Sequence, residues 1–226
     1  CTDPPASKVN WDNCNKTGAQ LSKINLRESV LNNADLSFAD LTKARLSYAD
    51  LGNANLENAD LSKIKANNSR FVSARLVKAK LNHAQLTHSS FERADLSQAE
   101  LNNVSAKKAH FYNALLNAAT LNDADFASAN FEQADLSRVI AKNTNFHKAR
   151  FSYAILASGD FQKADFTKAK LDNTDLSDAN FESANLEGAD LHDADIHNTN
   201  FSHAKLGNAI WIDRRRCRPG SVGVCK

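Results

Sequence analysis

A leucine at every fifth position constrains this chain more than any other feature. The stretch ADLSFADLTKARLSYADLGNANLENADL, residues 34 to 61, keeps the spacing without exception and places an alanine two residues before each leucine. Stepping by five from Leu21 to Leu206 meets 38 centres with no insertion or deletion: 23 Leu, 11 Phe, and the exceptions Ala66, Ala106, Ala141 and Ile196. The position two before each centre is Ala in 27 of the 38 pentads and small or β-branched in the rest. The other three places are mostly Asp, Asn, Ser, Lys and Glu, so two positions in five face inward and three face water. An α-helix would smear that pattern, because five residues advance about 500° and each step drifts by about 140°. Alternating strands need a period of two. A chain that turns one flat corner per pentad satisfies it, with the large centre and the small Ala both pointing into a shaft. Self-similarity at a fixed period indicates a repeat solenoid.

Phenylalanine sets the length of one coil. Phe71, Phe91, Phe111, Phe131 and Phe151 are spaced by 20; Phe126, Phe146 and Phe166 form a second such series, and Phe161, Phe181 and Phe201 a third. The remaining series, from Leu36 to Ile196, contains no Phe. Large rings stacked on large rings are what equivalent positions of successive coils show under close packing, so the spacing predicts four pentads per coil. Trp11 and Trp211 fall in the first Phe series, one large ring near each end. Three defects support the inward assignment. Where the centre shrinks to Ala66, Ala106 or Ala141, the inward neighbour two residues earlier grows to Ile64, Val104 or Val139. Shared volume is kept, as a packed interior demands.

Nothing divides the 226 residues into separate globular units. The formal charge is only +2, apolar residues make up 42%, and Gly and Pro together number ten. This is neither a disordered nor a nucleic-acid-coating composition. No apolar run approaches the roughly 20 residues that span a bilayer as a helix, so no transmembrane segment is expected. The sequence opens at Cys1 without Met, and a cleaved export signal peptide is the expected history.

The uninterrupted A(D/N)LXX pattern resembles the pentapeptide repeat family, over residues 19 to 210. "WDNC" at 11–14 and "RRCRPGSVGVC" at 215–225 resemble the cysteine-bearing caps of its exported bacterial members. The resemblance implies an all-β fold, a right-handed quadrilateral β-helix of about ten coils of four pentapeptides. It also implies an N-terminal cap at 1–18, a solenoid at 19–210 and a C-terminal cap at 211–226. About ten coils at roughly 4.8 Å each make a rod on the order of 45–50 Å long. On such a rod, two of the three pairings open to Cys1, Cys14, Cys217 and Cys225 would join opposite ends, and bridged Cα atoms must lie within about 7 Å. The resemblance therefore implies Cys1–Cys14 and Cys217–Cys225 disulfides, which cap the open ends of a solenoid. The spacings lack the C-x-x-C of structural zinc sites, and no His adjoins either pair. Disulfides imply an oxidising compartment, periplasmic or secreted. The alternative is an envelope lipoprotein anchored through Cys1, in which Cys1 would not pair with Cys14.

No phosphate-binding or hydrolase signature occurs in the sequence. The histidines, His83, His88, His110, His147, His192, His197 and His203, all take outward register positions and scatter, so no metal site is expected. Asp35, Asp40, Asp50 and Asp60 precede their centres. Asp and Asn recur there because their side chains can bond nearby turn amides, and a filled rod offers no water-excluding concavity. The reading is a protein without catalysis, cofactor or metal.

Surface charge is more informative. Residues 61–91 hold a basic band of Lys63, Lys65, Arg70, Arg75, Lys78 and Lys80 with no acid until Asp60 before them and Glu92 after them. Between Lys170 and Lys205 lies an acidic band of Asp172, Asp175, Asp178, Glu182, Glu187, Asp190, Asp193 and Asp195. Opposed bands can steer a charged partner or favour staggered self-association. Among outward apolar residues, Leu115 and Ile155 share one series two coils apart, with Ile140 and Tyr153 near that edge and Asp135 between them. These four form the expected interaction patch. The leading reading is an exported, non-catalytic rod that serves as a protein-interaction or spacer module of the bacterial envelope, with a protein partner the sequence does not name. The alternative the family implies is a DNA mimic that binds or protects a type II topoisomerase such as DNA gyrase. That needs a broadly negative surface, and this chain is +2 overall. Direct nucleic-acid binding is disfavoured, since the six basic-band charges spread over several sides.

Overall fold

A computed structural model describes residues 1–226. It has no helix and no long strand; each pentad contributes one parallel bridge residue, and bridge residues pair at a separation of 20, from Asn10 with Val30 to Asp190 with Ile210. One coil therefore takes four pentads, as the Phe spacing predicts. Equivalent pentads stack into four rows. Row 1 is centred on Trp11, Leu31 and every twentieth residue to Trp211; row 2 runs from Lys16 to Ile196, row 3 from Leu21 to Phe201, and row 4 from Leu26 to Leu206.

The reason a five-residue sequence unit closes on itself is visible in its amides. In the pentad of Leu41, Leu41 N donates to Asp60 O at 2.8 Å and Lys43 N to Ser62 O at 2.9 Å, both in the next coil. Arg45 N donates to Ile24 O in the preceding coil at 2.8 Å, and Ala44 N closes the turn onto Leu41 O at 2.9 Å. The fifth amide, that of Thr42, donates to the Asp40 carboxylate at 2.9 Å. The preference for Asp or Asn before each centre follows, because that side chain accepts from the one N–H the ladder leaves over. Row 3 shows a second solution. Where the residue before the centre is Glu100, Thr120 or Ile140, an asparagine from the coil below accepts instead: Asn82 from Asn102 N, Asn102 from Asn122 N, and Asn122 from Lys142 N, at 3.0, 3.0 and 2.9 Å.

Each turn places the residue two after the centre in the left-handed region, with the residue before it on the ordinary side, the signature of a type II turn. Glycine fills this place only rarely, as at Gly18 and Gly188; Asn is frequent, and Phe38, Tyr48 and Tyr153 hold φ of 58°, 64° and 62°. A non-glycine residue costs about 1–2 kcal/mol in that region, and the inter-coil ladder on both flanks holds it there.

The shaft is filled. Phe71, Phe91, Phe111, Phe131 and Phe151 stack with centroids 4.7, 4.9, 4.8 and 5.0 Å apart and planes within 9°. The Phe126 and Phe161 series stack likewise, and rings of neighbouring rows meet edge to face. Ile64 beside Ala66, Val104 beside Ala106 and Val139 beside Ala141 are all buried, as volume exchange requires. Hydroxyl residues at the inward Ala position bond to carbonyls: Ser69 donates to Leu46 O at 2.6 Å, Thr144 to Leu121 O at 2.7 Å and Thr174 to Phe151 O at 3.0 Å. No buried side-chain polar atom lacks a partner. Gly159 stands at an Ala position because a Cβ there would lie 2.5 Å from the Phe161 ring.

Candidate functional site

The two ends are closed by the disulfides that the cysteine-capped resemblance implies. Cys1–Cys14 and Cys217–Cys225 have Cα separations of 5.3 and 4.9 Å, and no cysteine is free. At the N-terminal end Trp11 is buried and its Nε1 donates to Asp3 O at 3.1 Å. Lys16 lies 4.2 Å over the Trp11 ring while donating to Cys1 O at 2.8 Å, which ties the first residues across the shaft mouth. At the other end the chain turns back and pairs antiparallel with the last coil, Lys205 with Val222 and Ile210 with Arg216. That return covers rows 4 and 1. The amides of Ile196, Asn198, Phe201 and His203 in rows 2 and 3 have no backbone acceptor. Disulfides such as Cys1–Cys14 and Cys217–Cys225 form and persist in oxidising compartments, and no helix is long and apolar enough to cross a membrane.

The basic band does not form one surface. Lys63 and Lys80 belong to row 3, Lys65 to row 4, Arg70 to row 1, and Arg75 and Lys78 to row 2. Two of the six are ion-paired, Arg70 with Asp50 at 3.0 Å and Arg75 with Glu57 at 2.8 Å. The acidic band also circles the rod, with Asp172, Asp190 and Asp193 in row 1, Asp175, Asp178 and Asp195 in row 2, Glu182 in row 3 and Glu187 in row 4. Several of its members are already engaged: Asp193 with Arg214, Asp190 with His192, Asp172 with the Ser152 hydroxyl, and Asp178 with the Asn198 amide.

Row 2 concentrates what the linear reading splits between band and patch. Its bridge residues run Asp95, Leu115, Asp135, Ile155, Asp175, Asp195. Leu115 and Ile155 are 44% and 43% exposed, too much for residues seeking a core. Tyr153 projects at the adjoining corner; Tyr112, two coils earlier and one register position away, has its hydroxyl bonded to Gln133 at 2.9 Å. Ile140 is exposed but sits in row 3, around the next corner. From Asp95 to Asp175 the bridge positions of the stripe are thus acidic and apolar in alternation, with no base among them after Arg75, while Lys78 and Arg138 stand at the corner of the same row. Asp35, in the same row, accepts from the Ser37 hydroxyl at 2.6 Å, the Ser37 amide at 3.0 Å and Asn55 at 3.1 Å. The Ser37 hydroxyl bond, then the Ser37 amide, hold its carboxyl below the ordinary value against the opposing effect of burial.

Folding the sequence in its 20-residue register reveals a grouping that reading along the chain misses. Lys23, Lys43 and Lys63 stack at the corner between rows 3 and 4, and Arg27, Arg45 and Lys65 continue from them across row 4. Beside the last three lies a surface cavity of about 450 Å³, lined by Arg27, Arg45, Ser47, Tyr48, Lys65, Asn67 and Asn68. Elsewhere no three of the His, Cys, Asp and Glu side chains converge as metal ligands would.

No curated protein matches the chain in sequence. Among solved structures it is similar to HetL, a pentapeptide repeat protein involved in heterocyst differentiation regulation from the cyanobacterium Nostoc sp. strain PCC 7120. That similarity has 30% identity over 89% of this chain and 92% of HetL, with a TM-score of 0.57. QnrB1, a plasmid-mediated fluoroquinolone resistance protein, aligns over 86% of this chain and 90% of its own at 16% identity and a TM-score of 0.49. The family model for pentapeptide repeats matches in overlapping copies from residue 19 to residue 210. With that match, a 20-residue parallel ladder and a shaft of stacked Leu and Phe, the chain belongs to the pentapeptide repeat family.

Proposed function

We propose that the protein is a non-catalytic, exported rod of the bacterial envelope, a rigid module that binds a protein partner or spaces one partner from another. The rod is right-handed and four-sided, of about ten coils, with a cap at 1–18, a solenoid at 19–210 and a second cap at 211–226. The observation that carries this reading is the pair of closed disulfides, one at each end of an otherwise cysteine-free chain. A solenoid whose ends depend on oxidation is suited to the periplasm or beyond. Row 2 supports the binding role. Leu115 and Ile155 give apolar contact, Tyr153 a large amphipathic ring, and Asp95, Asp135 and Asp175 a charge that selects a basic partner surface.

Non-reducing peptide mass mapping of protein taken from its native cells, with fractionation, tests the reading. Bridged 1–14 and 217–225 peptides in the envelope fraction are the expected result. Free thiols in a cytosolic fraction would refute it. They would instead favour the DNA-mimic reading, to be followed by a gyrase supercoiling-inhibition assay. A diacylglycerol-modified Cys1 would assign the rod to an anchored lipoprotein.

A further inference from the structure

The rod repeatedly uses one cross-coil geometry for ion pairs. A residue just before a centre faces the residue just after the equivalent centre of the preceding coil, 18 positions earlier. Arg75 meets Glu57 in this way, Lys107 meets Asp125 at 3.1 Å, Lys142 meets Asp160 at 3.0 Å, and Arg150 meets Glu132. In row 4 the same geometry sets Arg45 against Arg27, base against base, and Lys65 against Ser47. Arg27, Arg45 and Lys65 form no ion pair, and their side chains donate no hydrogen bond. Of the carboxylates around them, Glu28 pairs with Lys8 at 3.4 Å and Asp50 with Arg70, while Asp40 and Asp60, one row away, accept from the Thr42 and Ser62 amides. Like charges placed where the fold elsewhere places opposite ones are destabilising unless a counter-charge arrives from outside.

The cavity beside these three cations supplies the place for it. It spans three coils, about 10 Å along the rod at the spacing of stacked strands, and its remaining wall is made by Ser47, Tyr48, Asn67 and Asn68. Tyr48 stands at the corner, its backbone left-handed with φ of 64°. Lys43 and Lys63 at the next corner raise the positive field without lining the cavity. Two guanidinium forks match the oxygens of a phosphate or sulfate group, and an ammonium adds a point charge. We propose that this cavity binds a phosphate-type oxyanion carrying at least two negative charges, held between Arg27 and Arg45 and closed on one flank by Lys65 and Tyr48. The site is independent of the row 2 contact surface, which lies two rows away.

Calorimetric titration of the full chain with inorganic pyrophosphate, at low and constant ionic strength, tests the proposal. Co-sedimentation with phosphatidylglycerol vesicles against phosphatidylcholine vesicles runs in parallel, so that a free anion and a lipid headgroup are distinguished. Wild-type protein is expected to bind in at least one arm. Arg27→Glu is the informative variant, because it converts the base–base contact into the ion pair seen at Glu57–Arg75. It is expected to lose at least tenfold in affinity while its Tm without anion equals or exceeds that of wild type, which also shows that it folds. A control removing three lysines outside the cavity, Lys148→Gln, Lys163→Gln and Lys168→Gln, is expected to bind within about twofold of wild type. Absence of binding in both arms, or equal losses in Arg27→Glu and the control, would overturn the proposal.

Discussion

Phe131 offers the sharpest test of how the shaft is packed. Its ring is fully buried, stacked on Phe111 at 4.8 Å and Phe151 at 5.0 Å, and met edge-on by Phe126 at 5.4 Å and Phe146 at 5.9 Å. Phe131→Ala should cost about 3–5 kcal/mol for transfer and cavity, and the lost ring contacts place it toward the upper end. Ala129→Ile, at the buried inward position two residues earlier, should cost about 1–3 kcal/mol by overpacking. Additive behaviour would make the double variant about 5–8 kcal/mol less stable than wild type. The native Ile64–Ala66 arrangement, buried in the same two register positions, argues otherwise. Isoleucine restores about half the heavy atoms that the ring leaves, so the double variant should fall back to about 3–4 kcal/mol, a coupling of roughly 3 kcal/mol. Denaturant midpoints followed by far-UV circular dichroism, with disulfides intact and slopes compared, measure all four corners of the cycle. A double variant at or beyond the sum of the singles would refute the claim that the two ladders share volume. Phe131→Leu serves as the mild control at about 1 kcal/mol, since Leu31, Leu51 and Leu171 occupy the same row.

Removing both caps, Cys1→Ser with Cys14→Ser and Cys217→Ser with Cys225→Ser, should cost about 2–3 kcal/mol per loop in chain entropy, felt at the ends. Hydrogen exchange should show protection lost around residues 8–27 and 196–226 and kept in the central coils; uniform loss would contradict it. Because the folded-state carboxyl of Asp35 is depressed, the stability it contributes is present above the ordinary carboxylate range, about pH 4, and disappears as pH falls through the lower, folded value. Asp35→Asn, which keeps an acceptor for the Ser37 amide, should flatten the decline of the unfolding midpoint below about pH 4, and an unchanged acid limb would exclude the linkage. Asn102→Ala removes the acceptor of Asn122 N and the side chain that bonds Asn82. It should cost about 1–3 kcal/mol with faster exchange of the Asn122 amide, whereas an unaltered exchange rate would show that water replaces the bond at no cost.

The fold was legible because three repeated positions answer to one demand each. A Leu or Phe centre, an Ala two residues before it and an Asp or Asn between them correspond to shaft filling, close approach of the corner and capture of the fifth amide. Each is local to its pentad, so a period of five in the sequence is a period of five in space. The coil length was legible for a different reason: Phe71 and Phe91 touch, and contact between equivalent large rings leaves its mark at a spacing of 20. Surface chemistry follows neither rule. Lys63, Lys65, Arg70, Arg75, Lys78 and Lys80 are neighbours along the chain but are carried around four rows in less than one coil, whereas Arg27, Arg45 and Lys65 lie 18 and 20 residues apart and line one cavity. The ladder Leu115, Asp135, Ile155 and the exposed Ile140 show the same rearrangement on the far side of the rod. On a rod whose neighbours lie one coil away, charge and exposure have meaning only after the sequence is wrapped at 20. A cation is then judged by the residue 18 before it, which for Arg75 is Glu57 and for Arg45 is another arginine.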